Sequence, residues 1–208
     1  MKFVAISDTH GRHASLKLPK GDVLIHAGDI TYKGKRTEVE DFLTWFDKQK
    51  FAYKVFIGGN HDFFLEKEKK EGIEKMIPQG ITYLNDSGIT IDNIKLWGSP
   101  VTPKFFNWAF NRKRGDSIKK HWSLIPESTT ILITHGPCYG ILDQVASEEH
   151  VGDKDLLARI REVKPKVHLF GHIHESYGTT KSGGVHFINA SLMNENYELV
   201  HKPTVFDL

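Results

Sequence analysis

Gly171-His172-Ile173-His174 sets two imidazoles two residues apart, directly behind the apolar run Lys166 to Phe170. Four other places repeat the arrangement of a short apolar run that stops at metal-ligating side chains beside a glycine. Lys2 to Ser7 ends in Asp8-Thr9-His10-Gly11, and Asp22 to Ala27 ends in Gly28-Asp29. Tyr53 to Ile57 ends in Gly58-Gly59-Asn60-His61-Asp62, and Thr130 to Thr134 ends in His135-Gly136-Pro137. The donors are imidazole nitrogens, carboxylates and one amide oxygen, a set that holds divalent ions of the borderline and hard kind. Glycine at these turns lets the backbone reverse and approach a ligand closely. Read as extended, Asp8 and His10 point the same way and can reach one ion. The two histidines of Gly171 to His174 are the strongest single signal. The others gain weight from their recurrence.

Such donors need a scaffold that brings five chain segments to one place. The apolar runs read as buried strands, and in an open α/β sheet the C-terminal ends of strands gather along one edge. Together they offer enough ligands for two ions, the inventory of a dinuclear centre about 3.5 to 4 Å across that serves in-line attack at phosphorus. Between strands, Thr37 to about Gln49 has helical periodicity through Val39, Phe42, Leu43 and Phe46, with Thr37 as N-cap and Glu40 as its capping-box partner. Phe63 to about Gly72 continues as a helix with a solvated charged face, and Asp116 to Leu124 and Asp153 to Val163 are further helices. Ile81 to Leu84, Ile89 to Ile91 and Ile94 to Trp97 read as meander strands, while Val185 to Ile188 and Tyr197 to Phe206 close the sheet. The Pro-interrupted stretch from Gly98 to Arg114 packs four aromatics and four cations into an irregular loop. Trp108, Asn111 and Arg112 are its candidates for a substrate wall, joining a stacking face to a cation. Phe105 and Phe106 are expected to pin the loop to the core.

The chain has 208 residues, 39% hydrophobic and 26% charged, and reads as a single domain over residues 1–208. A net charge of +2 carries no strong nucleic-acid signature. Cys138 is the sole cysteine, so neither a disulfide framework nor a thiolate cage forms within one chain, which fits a reducing cytoplasm. The first residues are too short and polar for a signal peptide, and no stretch approaches membrane-spanning length. Nothing specifies an oligomeric state. Of the twelve histidines, His26 reads as a hydrogen-bonded core residue. His13, His121, His150, His168, His186 and His201 lack the strand-glycine context and read as structural or surface residues.

In order, D-x-H, G-D, G-N-H-D, H-G-P and G-H-x-H resemble the motifs of the calcineurin-like metallophosphoesterase superfamily, and they run from residue 8 to 174. The resemblance implies a four-layer αββα sandwich of two mixed β-sheets flanked by helices. It also implies one metal on Asp8, His10 and His174, a second on Asn60, His135 and His172, and Asp29 bridging the two. His61 then faces the substrate as the catalytic general acid, with Asp62 as its orienting partner. The expected cofactor is a pair of divalent ions, manganese first, with iron, zinc, nickel or cobalt as alternatives. Gly28-Asp29 runs into Ile30-Thr31-Tyr32-Lys33-Gly34 without the Asp-Arg-Gly of the protein Ser/Thr phosphatases. Ser7 to His10, Asp22 to Thr31, Trp97 to Pro100, Trp108 to Arg112 and Phe170 to Glu175 are similar to the class III phosphodiesterase-like metallophosphoesterase-domain-containing subfamily. Some animal members of that subfamily have Gly where His172 stands here. The implied activity is hydrolysis of cyclic nucleotides or related small phosphodiesters by a metal-bridging hydroxide. The alternatives are a broad-specificity phosphomonoesterase and a metal-stabilised interaction protein with little turnover.

Overall fold

A computed structural model describes all 208 residues. Strands β1 (Lys2–Ile6), β2 (Val23–His26), β3 (Tyr53–Ile57), β4 (Ile81–Leu84) and β13 (Thr204–Asp207) form one sheet in the order β13-β1-β2-β3-β4. All pairs in it are parallel except β1 with β13. A second sheet has the order β11-β12-β10-β9-β6-β5, from β5 (Ser87–Ile91), β6 (Ile94–Ser99), β9 (Ile131–Thr134), β10 (Val167–Phe170), β11 (Gly178–Ser182) and β12 (Val185–Asn189). A two-stranded parallel ladder, β7 (Thr102–Pro103) with β8 (Asn111–Arg112), braces the irregular loop.

Alternation of side chains along the strands builds the layers. Phe3 and Ala5 of β1, Ile25 of β2 and Val55 of β3 meet Leu96, Ile131, Ile133 and Leu169 of the other sheet in a shared inner core. The intervening Val4, Ile6, Leu24 and Phe56 face outward, onto Val39, Phe42, Leu43 and Phe46 of helix α1 (Arg36–Asp47) and Leu65 and Ile73 of α2 (Phe63–Lys67) and α3 (Lys70–Met76). Leu132, Phe170 and Phe187 face the other way, onto Ile118 and Trp122 of α4 (Asp116–Trp122) and Leu156 and Ile160 of α5 (Lys154–Val163). The result is the expected αββα sandwich of two mixed sheets. No helix is long and apolar enough to cross a membrane.

Local expectations differ in several places. The three supposed meander strands divide between sheets, β4 pairing with β3 while β5 and β6 form a hairpin of the second sheet. Periodicity marks a strand but not its neighbour. Helix α1 starts a residue earlier than expected, and its N-terminus is satisfied by Glu38, not by Thr37 and Glu40. The Glu38 carboxylate accepts from the backbone N–H groups of Tyr32, Lys33 and Lys35. The helix expected from Phe63 breaks into α2 and α3, strand β11 lies where none was foreseen, and the last strand begins only at Thr204. His26 is buried and hydrogen-bonds Thr9 Oγ1 at 2.9 Å, and His168 likewise bonds Thr134 Oγ1 at 2.8 Å.

Candidate metal centre

Parallel strands β1, β2 and β3 of one sheet and β9 and β10 of the other end on the same rim of the sandwich. The turns beyond them interlock. His135 Nδ1–H donates to the Ala27 carbonyl at 2.9 Å, the His172 N–H donates to the Asp8 carboxylate at 3.0 Å, and the His61 N–H donates to Asp29 Oδ1 at 2.8 Å. Two glycines permit this approach. A Cβ on Gly28, whose φ is +102°, would meet His135 Nδ1 at 2.5 Å, and one on Gly59 would collide with the Asp29 carboxylate. Asp8, His10, Asp29 and His172 have φ of 55°, 41°, 56° and 70°, so the segment expected to be extended is left-handed instead. Such a conformation costs about 1–3 kcal/mol per non-glycine residue and persists only where the surroundings over-determine it.

The donor atoms fall into three overlapping groups, Asp8 with His10 and His174, His10 with Asp29 and His61, and Asp29 with His135 and His172, each within 4.8 Å. Asp29 belongs to two of them, its Oδ2 3.3 Å from His135 Nε2 and 3.7 Å from His10 Nε2. Asn60 Oδ1 joins at 2.9 Å from His135 Nε2. Whether these residues suit cations can be read from the tautomers. Carbonyls only accept, so Nδ1 of His135, against Ala27, and Nδ1 of His174, against Asn194 at 2.9 Å, carry the protons. In the neutral rings each Nε2 therefore aims a lone pair inward. His174 Nε2 meets Asp8 Oδ1 at 3.5 Å and His10 Nε2 at 3.4 Å, and His135 Nε2 meets Asp29 and Asn60. Converging lone pairs demand positive charge, and the carbonyl behind each ring is the usual outer support of a metal-bound histidine. The residues fit a pair of divalent ions.

The protonation pattern of the bare site makes the same demand. Burial opposes charge on His135, yet Asp29 raises it to about 9. Burial likewise opposes charge on His174, and its hydrogen bond with Asp8 raises it to about 9. His10 is lowered to about 4 and His172 to about 3, in both cases mainly by burial. Burial pushes the Asp8 carboxyl up, but His174 and then His135 and His10 hold it well below its usual value, and His135 does the same to Asp29. Two protons thus stand where cations would.

A cleft of about 240 Å³ opens over this cluster. His61 lines it, with Nδ1–H donating to the Tyr32 carbonyl at 2.9 Å and the ring stacked on Trp108 at 4.4 Å and 26°. Asp62 is not the partner that orients His61. Fully buried, it accepts from the N–H groups of Gly59, Ile30 and Thr31 and from Thr31 Oγ1, fastening the Asp29 turn to the Asn60 turn. Burial and the charge of Asp29 push its pKa up to about 7.

Of the proposed wall, Trp108 lines the cleft, but Asn111 and Arg112 do not. Asn111 lies in β8 and spends its amide on the Phe105 N–H at 2.6 Å, Thr102 Oγ1 and the Ala109 carbonyl. Arg112 pairs with Glu66 at 3.2 Å and, with Trp108 and Asn111, lines a separate cavity. Phe105 and Phe106 are 61% and 74% exposed instead of anchored, and Phe105 faces the cleft. Sequence reasoning also missed Glu175, Glu195 and Tyr197 on the lining and Ser191, whose Oγ–H donates to Asp8 Oδ2 at 2.8 Å. Glu175 directly follows the G-H-x-H motif and was open to notice; the others carry no local signal.

Residues 1–176 match the calcineurin-like phosphoesterase family. Metallophosphoesterase domain-containing protein 1 of Homo sapiens is 40% identical over 231 residues, covering 100% of this chain and 71% of that protein. A UPF0046 protein of Caenorhabditis elegans is 38% identical over 237 residues, covering 100% of this chain and 60% of that one. A solved crystal structure superposes with a TM-score of 0.69 at 15% identity, over 90% of this chain and 89% of the other, a likeness of fold alone.

Proposed function

The chain belongs to the calcineurin-like phosphoesterase family, whose members hydrolyse phosphoesters with divalent metals, and we propose that within it this protein prefers small phosphodiesters, cyclic nucleotides among them, to phosphomonoesters. The charge of the cleft lining carries this reading. It contains neither lysine nor arginine, but does contain Glu175 and Glu195. A phosphomonoester arrives as a dianion and a diester as a monoanion, so two carboxylates with no lysine or arginine on the cleft lining disfavour the monoester more. The diester also needs room for a second organic group, which an open cleft supplies.

In this reading residues 1–208 act as one unit. Asp8, His10 and His174 would hold one ion, Asn60, His135 and His172 the other, and Asp29 would serve both. Manganese is the first candidate, with iron, zinc, nickel or cobalt as alternatives. The bound pair would lower the pKa of water to yield a nucleophile near neutral pH and withdraw charge from the phosphoryl oxygens. His61, its Nδ1–H fixed on Tyr32, would as the imidazolium give its Nε2 proton to the departing oxygen and return to the neutral ring. Trp108 stacks behind the imidazole and keeps its plane. Asp62 holds the two ligand-bearing turns in register from below.

The test is the ratio of kcat/KM for bis-p-nitrophenyl phosphate to that for p-nitrophenyl phosphate in manganese-loaded protein. A ratio above about ten supports the reading. A ratio near or below one makes the protein a phosphomonoesterase, and no turnover of either ester with two ions bound leaves the metal-stabilised interaction protein.

A further inference from the structure

A second cavity, of about 390 Å³, adjoins the metal cleft and shares Phe105, His172 and Glu175 with it. Val145, His150, Val151 and Gly152, the Gly136-Pro137 turn, Lys104 and Arg114 are among its other lining residues. The size is within the range of small-molecule sites, which combine apolar walls with a few polar groups. The walls are also fastened. Fully buried Asp143 accepts from His150 Nδ1–H at 2.6 Å and from the N–H groups of Gly140 and Gly152, each at 2.9 Å. Arg114 donates to the Val151 and Gly152 carbonyls and pairs with Asp153 at 3.2 Å, so its charge is spent.

Resting on the diesterase reading above, we infer that this cavity is a subsite for the second ester group of the substrate, and that Phe105 is its stacking platform for a planar group the size of a nucleoside. The other cleft aromatics are already occupied. Trp108 carries His61 on its ring and Phe63 at 5.9 Å, and Tyr197 packs edge-on against His10 and His174 at 4.9 and 5.4 Å. Among aromatic rings Phe105 meets only Phe106, at 4.4 Å, and it is 61% exposed on the lining that the two cavities share. Charge points to a neutral occupant. With Arg114 compensated by Asp153, Lys104 and Glu175 remain as opposite charges on one lining, which suits the hydrogen-bonding edge of a base or a ribose better than another phosphate. Contiguity through His172 sets that group next to the phosphorus held by the ions.

The experiment compares thymidine 5′-(p-nitrophenyl phosphate) with methyl p-nitrophenyl phosphate, two diesters with the same leaving group, on wild type, Phe105→Ala and Val145→Trp. Phe105→Ala should raise KM for the thymidine ester by about 5- to 150-fold, the span of base-stacking losses, and for the methyl ester distinctly less. Val145→Trp, which fills the cavity while leaving Phe105 in place, should show the same selectivity. Equal effects on both esters, or no effect on either, overturn the subsite. Calorimetric binding of AMP and inorganic phosphate to the metal-loaded protein separates this from the diesterase reading. A Phe105-dependent advantage of AMP over phosphate upholds the subsite even where diester turnover fails, and its absence overturns the subsite even where turnover succeeds.

Discussion

His61 is the side chain at which chemistry and geometry meet most closely. It shares a 4.8 Å neighbourhood with His10 and Asp29, yet its Nδ1 is committed to a backbone carbonyl and its ring to an indole. With Nδ1 so held, Nε2 is the nitrogen left to carry a proton, because Asp8, His10, His174, Asn60, His135, His172 and Asp29 already supply the ligands for two ions. His61→Ala should therefore retain both ions and lose on the order of 10²- to 10⁴-fold in kcat with a cyclic nucleotide, whose ribose oxygen leaves only when protonated. It should lose distinctly less with bis-p-nitrophenyl phosphate, because p-nitrophenolate departs unaided. Equal losses on the two substrates with metal content intact would move His61 from proton donor to stabiliser of phosphoryl charge.

At the scale of elements, the short β7–β8 ladder decides what the 98–114 loop can present. Asn111 ties Phe105, Thr102 and Ala109 together, and so sets where Phe105 and Trp108 stand. Asn111→Ala should leave two metals bound but loosen the loop, giving faster proteolytic cleavage between residues 104 and 110 and higher KM for diesters of either kind. Unchanged proteolysis with a raised KM would return Asn111 to the substrate wall. The same loop shows where the sequence stops being informative. Strand ends announce themselves, since an apolar run halted by glycine and a donor repeats five times, and the sandwich was implied by the family resemblance those motifs carry. Trp108, Asn111 and Arg112 looked alike because composition reports which side chains a loop has. It does not report which way a two-residue ladder turns them. Periodicity failed in the same way at β4 to β6, where each strand was legible and its partner was not. Asp62 was misread because its four donors come from a turn 31 to 32 residues away in the chain or from its own loop.

For the whole molecule the decisive quantity is charge, and pH sets it. Without metals, His135 and His174 at about 9 hold protons that the unfolded chain, near 6.5, releases. Their stabilisation is complete below about 6.5 and is lost as pH rises through 9. His10, at about 4, and His26, His168 and His172, at about 3, act oppositely, contributing above 6.5 and losing that contribution as pH falls to 3–4. Asp62, at about 7, opposes them with a single proton. Chelated protein should consequently show its highest Tm near pH 6.5, and a Tm still climbing between pH 6.5 and 9 would refute the assignment. The ions need the same nitrogens deprotonated, so their affinity should rise over that interval. The proposed activity rests on two cations sharing Asp29 and acting together. It is tested most directly by titrating chelated protein with manganese while following hydrolysis of bis-p-nitrophenyl phosphate. The expected result is no turnover without metal and a rise that levels off only when two equivalents per chain are bound. A plateau at one equivalent, or turnover that survives complete chelation, would contradict it.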